Sequence, residues 1–174
     1  LELYRMKGDG SEVQRLTSAG GLPSDLIRAF AEDREGTIWI GSNGGGLAAL
    51  QDRAFVAYTM MDGLAHGNVR VVLEDPAGTV WIGSDGGGID RLRDGRISRA
   101  ILDPPLPNPF VRALWHDLDG ALWIGTTGGG LIRRAPDGGA TRFSTDDGLG
   151  SDTIYSVLAT STGDLWVGTD GAAS

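Results

Sequence analysis

An all-β fold built from four similar sheets is predicted by three observations on this 174-residue sequence. A Gly-x-x-Trp-x-Gly pattern recurs four times. Each copy also carries runs rich in β-branched residues, separated by glycine-containing turns. The third observation is the period, because the repeated tryptophans lie 42, 42 and 43 residues apart, at Trp39, Trp81, Trp123 and Trp166. A period of this length is that of one four-stranded antiparallel blade of a β-propeller.

The second copy shows the order of elements within one repeat. Strands are expected at 68–75, 79–84, 88–95 and 96–102, and no segment shows a capped helical periodicity. Asp75 and Gly78 favour a hairpin turn between the first two strands. The triple glycine at 86–88 resembles a phosphate-binding loop, but it lies between two strands rather than before a helix, which favours a turn. The tryptophans are expected to fill the space between stacked blades.

The repeats divide the chain into one propeller domain, residues 1–174, with blades at about 22–60, 64–102 and 106–145. The fourth copy, 149–171, holds only the first two strands of a blade. Residues 1–18 resemble the missing third and fourth strands, so the N- and C-terminal strands are expected to share one blade. Three arrangements satisfy this: a four-blade ring in one chain, an eight-blade ring from two chains, and an excerpt from a longer propeller.

Composition excludes several classes of function. The formal net charge is −8, which disfavours nucleic acid as a partner because phosphate binding needs clustered Lys and Arg. No segment approaches the 18 or so apolar residues of a membrane-spanning helix. Cysteine is absent, so neither disulfides nor thiolate metal sites are expected, and no cofactor is indicated.

The segment 62–92, DGLAHGNVRVVLEDPAGTVWIGSDGGGIDRL, resembles the two-component regulator propeller repeat. The resemblance covers about residues 19–171. Its elements are an Asp-Gly-Leu turn, an acidic Glu-Asp turn, a Trp-Ile-Gly strand and a glycine-rich hairpin. The third copy departs from the pattern, with Leu102–Pro109 in place of Asp-Gly-Leu and His116 in the acidic pair. The fourth has Thr160-Ser161 in place of the acidic pair, and Ala172-Ala173 where two glycines are expected.

The resemblance implies a non-catalytic sensor module. Members of this family typically form the periplasmic or extracellular sensor part of membrane-bound two-component regulators, and many are linked to saccharides. By resemblance the chain is a sensor fragment or a small relative, and it would not itself transmit a signal across the membrane.

Four equivalent positions, eleven residues before each tryptophan, are the candidate ligand-binding residues: Arg28, Arg70, Arg112 and Tyr155. The first strand of a blade lines the central channel, so these residues are expected near its mouth. A partial ring of guanidinium groups suits a carboxylate or sulfate, such as an acidic saccharide. The alternative is structural, with each arginine paired to an acid such as Glu32 or Glu74. Ser24, His66, Asn108 and Ser151 share another loop position, where they are expected to form turns.

Catalysis is poorly supported by the sequence. The two histidines, His66 and His116, have no metal-ligand partner or nucleophile at a useful spacing, so neither catalytic nor metal-binding residues are expected.

The leading hypothesis is therefore a ligand-sensing propeller module that binds a saccharide or small anion. The alternative is a structural or protein-interaction propeller that forms a homodimer by completing the shared blade. A propeller lyase is the least favoured hypothesis, because only an analogy of fold suggests it.

Overall fold

The computed structural model describes residues 3–51 and 54–171, and its regular structure is antiparallel β-sheet with three short 3-10 turns. The N-terminal hairpin consists of β1 (Leu3–Met6) and β2 (Val13–Leu16). Blade 1 consists of β3 (Ile27–Glu32), β4 (Ile38–Ser42), β5 (Leu47–Gln51) and β6 (Ala54–Tyr58).

Two further blades follow. Blade 2 consists of β7 (Val69–Glu74), β8 (Val80–Ser84), β9 (Gly88–Arg93) and β10 (Arg96–Arg99). Blade 3 consists of β11 (Val111–His116), β12 (Leu122–Thr126), β13 (Leu131–Arg134) and β14 (Ala140–Phe143). The C-terminal hairpin consists of β15 (Ile154–Ala159) and β16 (Leu165–Thr169). The predicted all-β fold with four-stranded antiparallel blades is confirmed, and the four predicted strands of the second copy match β7 to β10 closely.

The turns follow from the local sequence. Asp75 accepts hydrogen bonds from the backbone N–H groups of Ala77 and Thr79, and Gly78 closes the turn with φ of 81°. Three 3-10 turns, at Ser18–Gly20, Met60–Asp62 and Thr145–Asp147, each follow an outer strand and end at a glycine in the left-handed conformation. A leucine comes directly after each of these glycines and packs inward: Leu22, Leu64 and Leu149.

The core lies in the seams between blades. The inner strands β3, β7, β11 and β15 contact one another in succession, so the blades stack side by side around one axis. Trp39 packs against residues of blade 2 that include Val69, Val72 and Val80. Trp123 of blade 3 packs in the same way against the C-terminal hairpin.

The glycine of each Trp-Ile-Gly segment lets neighbouring blades approach closely. A Cβ atom built on Gly41 would lie 2.7 Å from Val69 Cγ1, one on Gly83 2.7 Å from Val111 Cγ1, and one on Gly125 2.7 Å from Ile154 Cγ2. These distances are below van der Waals contact, so only glycine fits where the next inner strand crosses the seam.

One expectation about the tryptophans is wrong for the fourth copy. Trp39 and Trp123 are buried at 6% and 8% exposure, and Trp81 is half-buried, as the seam interpretation predicts. Trp166, however, is 68% exposed. The reason is that β15 and β16 have no blade packed against their outer face within the described residues.

The predicted shared blade is not assembled in the part of the chain that the structure describes. Among the described residues, β1 pairs with β2 alone and β16 with β15 alone, so the two terminal hairpins are separate two-stranded sheets. Each represents half of a blade. Leu1, Glu2, Ala172 and Ala173, which belong to the predicted shared blade or its turn, lie outside the described residues.

Candidate ligand site at the bulges of the inner strands

The four candidate residues occupy one structural feature. The pairing between the first and second strands of each repeat shifts register at one residue, and that residue is Arg28, Arg70, Arg112 or Tyr155. Such a shift is a β-bulge, which bends the strand and re-aims the side chain at that position. The four residues that share a position in the sequence repeat therefore also share a position in the fold, although they differ in what they contact.

Arg70 is paired with an acid, as the structural alternative predicts, but that acid is Asp85 rather than Glu32 or Glu74. Its Nε and Nη2 atoms lie 2.6 Å and 2.5 Å from Oδ2 of Asp85, and both side chains are largely buried. The other oxygen of this carboxylate, Oδ1, is buried without a hydrogen-bond partner among the described residues. Both nitrogens contact the same carboxylate oxygen, and this ion pair neutralises the guanidinium, so Arg70 has little charge left for a ligand.

Arg112 keeps its charge available. Its Nε atom donates to the hydroxyl of Thr127 at 2.6 Å, and its guanidinium lies 5.0 Å from the ring centroid of Tyr155. That is a cation–π contact between blade 3 and the C-terminal hairpin. Thr127 is neutral, and no carboxylate pairs with Arg112 in the part of the chain that the structure describes.

Arg28 is exposed, and its side chain makes no hydrogen bond or ion pair with any residue in 3–51 or 54–171. The residue fifteen positions further on explains the difference between the three arginines. It is Asn43 for Arg28, Asp85 for Arg70 and Thr127 for Arg112, so a carboxylate stands there for Arg70 alone. The constant spacing of fifteen residues makes this difference readable in the sequence.

The loop residues at the other equivalent position form turns, as expected. The hydroxyl of Ser24 accepts from the N–H of Leu26, and Nδ1 of His66 accepts from the N–H of Asn68. Asn108 and Ser151 accept in the same way, each from the residue two positions on. These local hydrogen bonds fix the loops that lead into the inner strands.

A set of polar contacts that sequence reasoning missed links the acidic turn to the tryptophan. The indole N–H donates to a carboxylate oxygen six residues earlier in three copies: Trp39 to Asp33 at 2.8 Å, Trp81 to Asp75 at 2.9 Å, and Trp123 to Asp117 at 3.0 Å. The fourth copy has Thr160 at the corresponding position. The constant spacing of six residues was the signal for this contact.

These hydrogen bonds change the ionisation of two of the aspartates. Burial acts most strongly on the pKa of Asp75 and raises it. Hydrogen bonds from the N–H groups of Thr79, the Trp81 indole and Ala77 outweigh that effect, so the pKa of Asp75 lies below its ordinary value. The pKa of Asp33 is lowered for the same reasons, by the N–H groups of Thr37 and Glu35 and the Trp39 indole, against the opposing effect of burial.

A cleft lies at the opposite end of the inner strands. His116 and Trp115 of blade 3 line it together with Glu74 of blade 2 and Arg34 of blade 1, and its volume is about 300 Å³. The His116 Nδ1 atom is buried and has no hydrogen-bond partner among the described residues.

No group of three or more potential metal ligands occurs in the described part of the chain. Within the same residues, no helix is long and apolar enough to span a bilayer.

The fold and the repeat contacts define this chain as a series of β-propeller blades. The model of the two component regulator propeller family matches three of its repeats, at residues 21–44, 63–86 and 148–171. The third copy is not matched, and it is the copy that lacks the Asp-Gly-Leu turn and carries His116.

Solved structures with the same fold include two extracellular domains of hybrid two-component systems from B. thetaiotaomicron. The first is 25% identical with a TM-score of 0.75, covering 97% of this chain and 24% of that chain. The second is 21% identical with a TM-score of 0.79, covering 97% and 26%. This chain therefore spans about a quarter of the length of those domains.

A virginiamycin B lyase from Staphylococcus aureus has the same fold at greater distance. It is 19% identical with a TM-score of 0.73, covering 95% of this chain and 55% of the lyase. Identity at this level shows a shared fold and nothing of the activity. The search of curated proteins found no match.

Proposed function

We propose that this chain is a non-catalytic, ligand-sensing part of the propeller of a two-component-type signalling protein, located in the periplasm or outside the cell. The support is the family match together with the 25% identity to the extracellular domain of a hybrid two-component system. A non-catalytic role is supported by His66, because its Nδ1 atom is already used as a turn acceptor.

The observation that carries the ligand proposal is the position of Arg112. Its guanidinium is unpaired by any described carboxylate, and it lies over the Tyr155 ring at the bulges of two adjacent inner strands. An arginine next to an aromatic ring offers a planar set of donors and a flat apolar surface. This combination suits the carboxylate or sulfate of an acidic saccharide or of another small anion. Arg28 supplies a further positive charge from the equivalent position of blade 1.

Replacing Arg112 with alanine is expected to weaken binding of an acidic oligosaccharide about tenfold, because a charge-assisted hydrogen bond is lost. The measurement is isothermal titration of a uronic-acid-containing oligosaccharide and of a neutral one of equal length. Arg96→Ala is the matched control, because Arg96 is exposed on outer strand β10 and its replacement changes the net charge equally. Equal affinities for the acidic and neutral sugars, or equal effects of the two variants, would contradict the proposal.

The second candidate is a structural role, in which two copies assemble by completing the shared blade. It is favoured by the two separate half-blades and the exposed Trp166. Light scattering is expected to give a solution mass of twice 18.2 kDa at micromolar concentration. A constant mass of 18.2 kDa at every concentration would exclude this role.

A further inference from the structure

The two terminal hairpins are complementary halves of one blade. The N-terminal hairpin occupies the third and fourth strand positions, because β2 leads into a 3-10 turn, a left-handed glycine and a buried leucine, as β6 does. The C-terminal hairpin occupies the first and second positions, because β15 and β16 pair with the same bulge as β7 and β8. Within the described residues, each hairpin therefore has the two strand positions that the other leaves open.

A groove beside the N-terminal hairpin has the lining of a tryptophan seam without the tryptophan. The groove has a volume of about 740 Å³ and is lined by Leu3 and Leu16 of the hairpin and by Phe30, Ile38 and Leu50 of blade 1. The last three residues precede Val72, Val80 and Leu92 by 42 positions, and those three pack around Trp39.

The C-terminal hairpin exposes the side chains that fit such a groove. Trp166 is 68% exposed and Leu158 is 48% exposed. They are the fourth-copy counterparts of Trp39 and Ala31, which face the seam between blades 1 and 2. An exposed indole beside an exposed leucine is an apolar surface that water solvates poorly.

A second, reciprocal contact is available on the other face of the N-terminal hairpin. Met6 and Val13 are 65% and 63% exposed, and they precede the seam residues Leu92 and Ile97 by 86 and 84 positions. Leu92 and Ile97 of blade 2 cover Trp39 in the seam between blades 1 and 2. In the seam between blade 3 and the C-terminal hairpin, no such pair of side chains covers Trp123 within the described residues, and a cavity of about 150 Å³ lies next to Leu165 and Val167.

The register of the completed blade follows from the three observed blades. Their second and third strands pair the Trp-Ile-Gly glycine with the first residue after the triple glycine: Gly41 with Leu47, Gly83 with Ile89, and Gly125 with Leu131. The same register places Gly168 opposite Leu3, Val167 opposite Tyr4, Trp166 opposite Arg5, and Leu165 opposite Met6.

The pair of Trp166 and Arg5 repeats a contact already present twice. Arg91 lies 5.8 Å from the ring centroid of its register partner Trp81, and Arg133 lies 5.8 Å from that of Trp123. An arginine opposite the exposed tryptophan therefore supplies the cation–π contact found in blades 2 and 3.

We propose that β16 of one copy pairs with β1 of a second copy, and that Trp166 enters the groove lined by Phe30, Ile38 and Leu50 of that copy. The same contact occurs twice about a two-fold axis and closes a ring of eight blades, within the usual range of four to eight. Closure within one chain would bring β16 to its own β1, but the two are unpaired among the described residues. This inference rests on the assembly role and specifies its contact.

The test uses engineered disulfides, because the natural chain contains no cysteine. Met6→Cys and Leu165→Cys are made as separate variants, mixed, and exposed to a mild oxidant. Neighbouring strands bring Cα atoms within the range of about 4.4–6.8 Å that a disulfide needs. The mixture is expected to give a disulfide-linked dimer on a non-reducing gel. Tyr4→Cys mixed with Val167→Cys tests the same register two residues along the strands, on the same face of the sheet.

The matched control mixes Val13→Cys with Leu165→Cys. Val13 lies on β2, one strand further from β16, so the two Cα atoms are about 10 Å apart and no disulfide is expected. A wild-type dimer by light scattering without a disulfide from either test pair would overturn this contact but leave the assembly role. A monomeric mass without disulfides would overturn both. A disulfide within a monomer of the double variant Met6→Cys/Leu165→Cys would overturn the second copy and indicate a four-blade ring.

Discussion

Replacing Asp75 with alanine is expected to lower the free energy of unfolding by about 3 kcal/mol, because hydrogen bonds to a charged group are lost and a donor is left unsatisfied. Its carboxylate accepts from the N–H groups of Ala77 and Thr79 and from the indole of Trp81. The turn and the tryptophan would both lose their partner. Urea unfolding followed by far-ultraviolet circular dichroism measures the change.

Asp137→Ala is the matched control for this effect. Asp137 also sits in a hairpin turn, but it is exposed and accepts from the N–H of Gly139, with no tryptophan bonded to it in the described structure. A loss below about 1 kcal/mol is expected there, as for an exposed turn hydrogen bond. Equal losses in the two variants would show that the indole contact adds nothing.

The same carboxylate gives a pH dependence of defined sign. The pKa of Asp75 is lowered in the folded state. In the unfolded chain the pKa has the ordinary value for Asp, about 3.9. Its contribution to stability is therefore fully present above the unfolded pKa and is lost as the pH falls through the folded pKa. Acid unfolding curves are expected to show declining stability below about pH 4, and Asp75→Asn should flatten the decline. A decline of equal steepness in this variant would contradict the assignment.

Replacing Gly83 with alanine is expected to lower the free energy of unfolding by about 2 kcal/mol through overpacking. The new Cβ atom would lie 2.6 Å from Val71 Cγ1 and 2.7 Å from Val111 Cγ1, so the seam between blades 2 and 3 would have to widen. Chemical unfolding measures the loss, and a reduced slope with denaturant would show that the two blades no longer unfold together.

Gly8→Ala is the control for this substitution. A Cβ atom at Gly8 meets nothing within 4 Å, and its φ lies outside the left-handed range. Its free energy of unfolding is expected to stay within about 0.5 kcal/mol of the wild type, as for most exposed positions. If Gly83→Ala were equally neutral, close approach of the blades would not be what requires glycine in the Trp-Ile-Gly segment.

Much of the fold, and the equivalent placement of the candidate residues, was predictable because the determinants lie within one repeat. The period of the tryptophans gave the blade length, and the bulges fall at the position marked by Arg28, Arg70, Arg112 and Tyr155. The hydrogen-bonding state of the arginines was not predicted. It depends on which residue directly follows the paired second strand, Asn43, Asp85 or Thr127, and the pairing of the two strands brings that residue next to the arginine.

The sequence by itself determined the class of fold, the number of repeats and their hairpin turns, because turn chemistry and strand alternation act over a few residues. Only the tertiary structure decided the different fates of equivalent side chains. Trp39 is 6% exposed and Trp166 is 68% exposed, although both stand in the same repeat pattern. Burial is a property of the space between two sheets, so the same residue is core where a neighbouring blade covers it and surface where none does.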